Sequence, residues 1–444
     1  MHVKEMMSLY GITYNIAGTL LAGLTLPIWL PYVLLRRKYR VSLIRRLGWI
    51  PVAQRRRLGE KPVIWLHAVS VGEFLLAHTL IRHLRPIVPA FRFVVSVTTL
   101  TGYEVARGKL DEDDILLFFP VEFYPVMRKV TRMINPRIAV IVETEIWPNF
   151  VYCLSAGQVP IIMVNGRISE KSFRRYRIVR PFFRDVLSRF RLFGMQTGTD
   201  ARRVTDLGAA PEAVSVLGNI KFDSVSITSE SKPDAALLTE LALAADAPVF
   251  IAAALEKTGR EDPVMLDVIE MVRRSRPEMA LILVPRHPER GGEMAALVRA
   301  RGYEPRRRSL GETFSDPVGQ VYIVDTVGEL KRFYNLARLV YVGKSLFAPG
   351  GGQNMIEPIA LGKPTLYGPY TRNFRGIADN IAAREGALIV HSPDELAAAI
   401  IDITVNPDRG EALVRNGQQY IRTQQGATGA TIEAIMSILN AREL

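Results

Sequence analysis

Short β-branched runs alternate with longer amphipathic segments, twice over, along these 444 residues. That alternation is the pattern of parallel strands whose crossover helices cover both sheet faces. The first series places strands near Val63–Ala68, Phe91–Val97, Ile115–Phe119, Ile138–Val142, Ile161–Val164 and Leu192–Met195, with helices such as Val71–Leu84 and Ile146–Ser155 between them. The second places strands near Val249–Ala253, Leu281–Val284, Val321–Val324, Leu339–Val342, Thr365–Tyr367 and Ala387–Val390, followed by a mostly helical tail. Gly218–Pro233, rich in Ser and Asp and without apolar period, reads as the connection. The length exceeds one hydrophobic core. The expected fold class is therefore α/β, two Rossmann-like doubly wound domains facing across a cleft. Ligands then belong outside the carboxyl ends of the strands. The expected division is 1–46, 47–225 and 226–444.

The first of those segments is of a different kind. Met6 to Leu35 is thirty residues without Asp, Glu, Lys or Arg, more than the roughly 20 that cross a bilayer as a helix. Arg36-Arg37-Lys38-Tyr39-Arg40 and then Arg45-Arg46 follow it. Basic residues after the apolar run disfavour a cleaved signal peptide and put the main body on the cytoplasmic side. Pro27 and Pro31 weaken a straight span, so a kinked span and a helix lying in the interface both stay open. The net charge of +13 is lopsided: residues 1–225 hold 32 Lys and Arg against 17 Asp and Glu, residues 226–444 hold 25 against 27. The basic half suits an anionic lipid or phosphate partner. No nucleic-acid recognition motif accompanies the charge. Cys153 is the only cysteine, which excludes an intrachain disulfide, and the six histidines show no zinc-ligand spacing.

Chemistry-bearing residues gather at predicted strand ends. From Tyr341 the chain reads Y-V-G-K-S-L-F-A-P-G-G-G-Q-N-M-I-E-P. Here a strand leads through Lys344 and Ser345 to Gly350, Gly351 and Gly352, then to a predicted helix beginning near Gln353 and Asn354. Free backbone amides and a helix start are what a phosphate needs, and Glu357 is placed to accept hydrogen bonds from a ribose. A Walker loop is excluded, because that motif requires glycine where Arg338 stands. In the first series, His67-Ala68-Val69-Ser70-Val71-Gly72-Glu73 brings a carboxylate to the first turn of a helix. Glu73 is there either a general base or a helix cap, since burial raises a carboxylate's pKa and the helix dipole lowers it. Glu143-Thr144-Glu145 ends another strand; Glu143 is the expected site residue and Glu145 the expected first-turn stabiliser of the next helix. Arg167 closes the strand after that, and Arg286 ends a strand of the second series, both suited to carboxylate or phosphate. Asp325 to Leu330 reads as a helix cap on the same edge of the second sheet.

Taken in order, H-A-V-S-V-G-E, E-T-E-I-W-P-N, N-G-R-I-S-x-K-S, G-N-I-K-F-D, P-R-H-P-E-R, D-T-V-G-E-L, G-K-S-L and G-G-Q-N-x-x-E-P resemble the 3-deoxy-D-manno-octulosonic acid (Kdo) transferases, from about residue 10 to 380. The resemblance implies a membrane-associated GT-B enzyme. It would take Kdo from CMP-Kdo to the lipid A precursor (lipid IVA) of lipopolysaccharide, with inversion and without a metal cofactor, at the cytoplasmic face of the bacterial inner membrane. It also implies that Glu73 is the base, with Ser70, Gly72, Glu143 and Arg167 on the acceptor side. Arg286, Lys344, Ser345, Gly351, Gly352, Gln353, Asn354 and Glu357 would hold the donor. One departure stands out. Relatives carry S-T-H-x-G-E-E after the first strand of the second domain, whereas Ala254 to Asp262 here lacks the Ser/Thr-His pair, and no donor contact is assigned to that loop. Rival readings are a UDP-hexosamine transferase of the same fold, a sugar-nucleotide epimerase, which needs neither lipid acceptor nor anchor, and a scaffold without chemistry.

Overall fold

The computed structural model describes residues 8–228, 234–256 and 261–441, so part of the expected interdomain connection and residues 257–260 of the divergent loop lie outside the described residues. The chain forms two compact units, one of Met1–Ser224 with Gln425–Leu444 and the other of Val225–Gln424.

The first unit is built on a seven-stranded sheet in the order β3-β2-β1-β4-β5-β6-β7. Its strands are β1 (Val63–Ala68), β2 (Arg92–Val97), β3 (Ile115–Phe118), β4 (Ile138–Val142), β5 (Ile161–Gly166), β6 (Leu192–Met195) and β7 (Val214–Val216). Every pairing is parallel. Strands β1 to β5 are buried along their whole length, which is why they read as continuous apolar runs: helices cover both faces. Trp65, Ile141, Phe150 and Phe193 fill one face and Leu66, Phe74, Val95 and Val164 the other. The order in which successive strands are added reverses between β1 and β4, making a topological switch point there.

The second unit repeats the plan with β8 (Val249–Leu255), β9 (Ala280–Pro285), β10 (Glu304–Arg307), β11 (Gln320–Ile323), β12 (Leu339–Val342), β13 (Thr365–Tyr367) and β14 (Leu388–Ile389). The order is β10-β11-β9-β8-β12-β13-β14, again parallel throughout. Its switch point lies between β8 and β12. Both edge strands that sequence reading misses, β7 and β10, lack the signal it relies on. β7 is three residues long and largely exposed, and β10 reads E-P-R-R.

The tail departs from the expected division, which gave all of 226–444 to the second domain. Residues 425–444 belong to the first unit. There the helix Ala427–Asn440 buries Ile432, Ile435 and Leu439 against the helix Val71–Leu84, and the Asp223 carboxylate accepts the amides of Gly426, at 2.7 Å, and Thr428. Amphipathic period shows that a helix covers a sheet; which sheet it covers depends on where the chain has travelled.

At the amino end, Leu9–Leu35 forms one helix through Pro27 and Pro31, capped by Ser8. Its stretch Leu9–Ile28 is long and apolar enough to cross a membrane. A second helix, Arg37–Arg46, follows.

Candidate active site

In the first unit the switch point gathers carboxylates. Ser70 caps the helix Val71–Leu84, and its hydroxyl also donates to Glu73 Oε1 at 3.0 Å, while the amide of Val69 donates to Oε2. This resembles a capping box with the carboxylate reaching the amide one residue ahead of the cap, so the two readings of Glu73 are not exclusive. The residue is partly exposed at the carboxyl edge of β1. Burial raises its pKa above the usual carboxylate range, and the charge of Glu143 adds to that, against the hydrogen bonds that pull it down. Gly72 is exposed beside it, on the first turn.

Glu143 stands at the end of β4, the neighbour of β1, with φ +61°. A left-handed conformation in a residue with a Cβ is strained and clusters at functional sites. Its Oε1 lies 3.1 Å from Lys221 Nζ, and Asn165 Nδ2 is at 3.5 Å. Lys221, in the G-N-I-K-F-D run, went unassigned from the sequence; its signal was the motif itself. Glu145 departs from expectation. The helix it was to stabilise starts at Pro148 with Trp147 as its cap, so Glu145 lies ahead of the first turn. Burial, then the charges of Glu73 and Glu143, push it up to about 7. Glu145 thus shares the Glu73 and Glu143 environment, where strand alternation had admitted only one of the pair. The turn at Glu143 breaks that alternation. Arg167 follows β5; its amide donates to the Thr144 hydroxyl at 2.8 Å, and that hydroxyl donates back to its carbonyl, locking the Arg167 backbone to the carboxylate turn.

In the second unit the switch point gathers cations and amides, although not all of those expected. The amides of Lys344, Ser345 and Leu346 after β12 do form an anion-binding nest. It is filled by Glu261, whose Oε1 accepts from Ser345 at 2.7 Å and Leu346 at 2.9 Å and whose Oε2 accepts from Lys344. Glu261 is 1% exposed and was missed from the sequence, where it sits in the divergent stretch. Ser345 is fully buried, its hydroxyl donating to Val342 O at 2.6 Å and accepting from Gly368 N at 2.8 Å. Its expected donor contact is therefore replaced by a structural one.

The glycines are also put to internal use. Gly350, Gly351 and Gly352 have φ of +50°, +131° and +70°, angles that side chains rarely adopt. The amide of Gly351 donates to Tyr370 O and that of Gly352 to Lys344 O, both at 2.7 Å. A Cβ on Gly351 would stand 2.9 Å from Asn373, so the close approach is to the 370–373 loop. The expected helix from Gln353 is a five-residue turn of helix, Ile356–Ala360. What remains available is the segment just before it. Gln353 Nε2 is buried and unpartnered. Asn354 Nδ2 donates to Glu357 Oε1 at 2.9 Å, and burial raises the Glu357 pKa.

Arg286, exposed after β9, and Lys344, φ +59° after β12, meet one carboxylate, Glu256. Lys344 Nζ is 3.2 Å and Arg286 Nε 3.6 Å from Glu256 Oε2. A β-bulge between Ala252 and Leu255, with Ala254 at φ +58°, immediately precedes Glu256; bulges re-aim side chains at strand ends. Glu256 was passed over because its loop lacks the relatives' pattern. Among the described residues no cluster of three His, Cys, Asp or Glu could hold a metal ion.

The model of a family described as 3-deoxy-D-manno-octulosonic-acid transferase (kdotransferase) matches residues 42–224. A 3-deoxy-D-manno-octulosonic acid transferase of Bordetella pertussis is 31% identical over 387 residues, 84% of this chain and 86% of that protein. The chain belongs to the Kdo transferase family. It is a glycosyltransferase. The Haemophilus influenzae transferase is 28% identical over 403 residues, covering 90% of this chain and 92% of its own. For the fold, a putative UDP-N-acetylglucosamine 2-epimerase from Listeria monocytogenes superposes with TM-score 0.57 at 15% identity, covering 86% of this chain and 96% of that one. The two parallel-sheet units are thus of the GT-B class, and family membership favours Kdo transfer over a UDP-hexosamine reaction.

Proposed function

We propose that this Kdo transferase moves Kdo from CMP-Kdo to a hydroxyl of the lipid A precursor, inverting the anomeric carbon, with Glu73 as general base. The observation that carries the assignment is a carboxylate at the switch point of the first sheet whose proton affinity is raised by burial and by Glu143. A base poised nearer neutral pH accepts a proton more effectively than an ordinary solvated carboxylate. The acceptor oxygen attacks the anomeric carbon, its proton passes to Glu73, and the electron pair of the breaking C–O bond leaves on the phosphate of CMP.

That leaving phosphate gains negative charge, and preorganised donors aimed at it lower the barrier. Arg286 and Lys344 are the cations for it, with Gln353 and Asn354 beside them, and Glu357 is the acceptor for a ribose hydroxyl. Glu256 already bridges the two cations, so the donor's anionic groups compete with it. We assign no metal to this chemistry; EDTA is expected to leave turnover unchanged. The lipid acceptor and the apolar amino-terminal helix agree with action at the cytoplasmic face of the inner membrane.

The test supplies CMP-Kdo, generated in situ, and tetraacylated lipid A precursor to the purified full chain, and weighs the lipid product. A mass gain of one or more Kdo units with release of CMP is expected. Inhibition by UDP in place of CMP, with no gain in lipid mass, overturns the proposal.

A further inference from the structure

We infer that the amino-terminal helix enters and leaves the membrane on one face, lying within a single leaflet of an anionic bilayer instead of crossing it. The inference rests on the membrane-acceptor reading above and specifies how the chain sits on that membrane.

Both ends of the helix are held by the same folded unit. At its start, Ser8 Oγ donates to Asp185 at 2.5 Å, Asn15 Nδ2 donates to Asn149 Oδ1 at 2.7 Å, and Tyr14 stacks on Phe182 with ring centroids 5.5 Å apart. Past its end, Arg36 is extended (φ −94°, ψ 109°) and turns the chain into the helix Arg37–Arg46. That second helix seats Ser42 at 2% exposure, donates from Arg45 to the Tyr103 hydroxyl at 2.7 Å, and donates from Arg46 to the carbonyl of Thr98.

Between these anchors almost nothing covers the apolar surface: Leu20, Leu24, Ile28 and Leu35 are 69%, 80%, 76% and 84% exposed. Ile16 to Leu35 is the length of a span, about 30 Å at 1.5 Å per residue. Were it to cross, Leu35 would emerge on the far side of the bilayer from Asn15. The ten residues of Arg37–Arg46, about 15 Å of helix, would then have to carry arginines back through hydrocarbon to reach Tyr103 and Thr98. Charged side chains at the bilayer centre are costly, and the distance is too great.

The rim of this surface matches anionic lipid. Arg36 and Arg40 flank the far end. At the near end, Ile178 is 82% and Val179 48% exposed at the junction of two helices just before Phe182, and exposed Arg174, Arg175, Arg177 and Arg180 neighbour them in the chain. Juxtamembrane arginines of this kind are attracted to anionic headgroups. The helix is apolar around its whole circumference, so it sinks among acyl chains and does not float at headgroup level.

The experiment uses the full chain in inside-out inner-membrane vesicles, with single substitutions His2→Cys and Arg40→Cys and a membrane-impermeant maleimide. Cys153 is buried and serves as the unreactive background. Both positions are expected to label fully from outside, with no gain on adding detergent. A bimane on Leu24→Cys is expected to be quenched more by a nitroxide high on the lipid chain than by one at its end. Protection of His2→Cys until detergent is added, or stronger quenching from the chain end, overturns the single-leaflet placement while leaving membrane action intact. Absence of the protein from the vesicle fraction overturns the membrane reading itself.

Discussion

The two sheets solve the same backbone problem and put opposite charge on the solution. In each, the strand that follows the switch point ends in a residue with a side chain in the left-handed region, Glu143 after β4 and Lys344 after β12. Each also has a register irregularity beside it, at Met163/Gly166 and at Ala252/Leu255. The first unit collects Glu73, Glu143 and Glu145 there and offsets them with Lys221. The second collects Arg286 and Lys344 and offsets them with Glu256. Fold geometry thus gathers ionisable groups at equivalent places and the side chains decide their sign, which suits the proposed division of proton acceptance on one sheet and anion stabilisation on the other.

The sharpest way to break this contrast is Glu73→Gln. Removing a general base costs about 10²–10⁴-fold in rate, so transfer measured by lipid mass should fall by that range while CMP affinity by calorimetry stays at the wild-type value. Turnover within tenfold of wild type would remove Glu73 from the role. Arg286→Ala attacks the other sheet. Loss of one donor to developing charge costs about 10²–10³-fold, here expected in kcat, with weaker CMP binding beside it, whereas Glu73→Gln spares binding.

Two finer tests probe the offsets. Glu256→Gln frees Lys344 and Arg286 from a carboxylate they share. An ion pair of this partly exposed kind is worth about 0.2–1 kcal/mol, so CMP binding should tighten by up to about fivefold; weaker binding would make Glu256 a support of the site and not a competitor. Glu145→Gln removes a like charge from the neighbourhood of Glu73. A lost negative neighbour lowers a carboxylate's pKa, and the proposed base must be deprotonated to act, so the acidic limb of the kcat/KM profile should move to lower pH. A limb that stays put would uncouple the two residues.

Much of the site was legible because it is local. Ser70 and Glu73 lie within one turn and form their cap from sequence-near atoms, and the order of motifs along the chain carried the family. What escaped is non-local. Glu261 reaches across to the amides of Lys344, Ser345 and Leu346, some eighty residues away in the chain, and occupies the nest that precedes the glycine loop. Ser345 looked like a ligand contact and is packed out of reach. Glu145 looked like a helix stabiliser until the turn at Glu143 placed it in a shared field of carboxylates.

The amino-acid order alone determined the alternation of strand and helix, the two-sheet plan, the apolar amino-terminal segment and the place of Glu73 on the first helical turn after a strand, because hydrophobic period and turn chemistry are properties of neighbouring residues. Tertiary structure decided which sheet the last helix covers, which carboxylates feel one another, which amides are already occupied, and that both ends of the apolar helix return to one body. Each of those depends on distances through space between residues far apart in the chain, and burial and charge act over such distances.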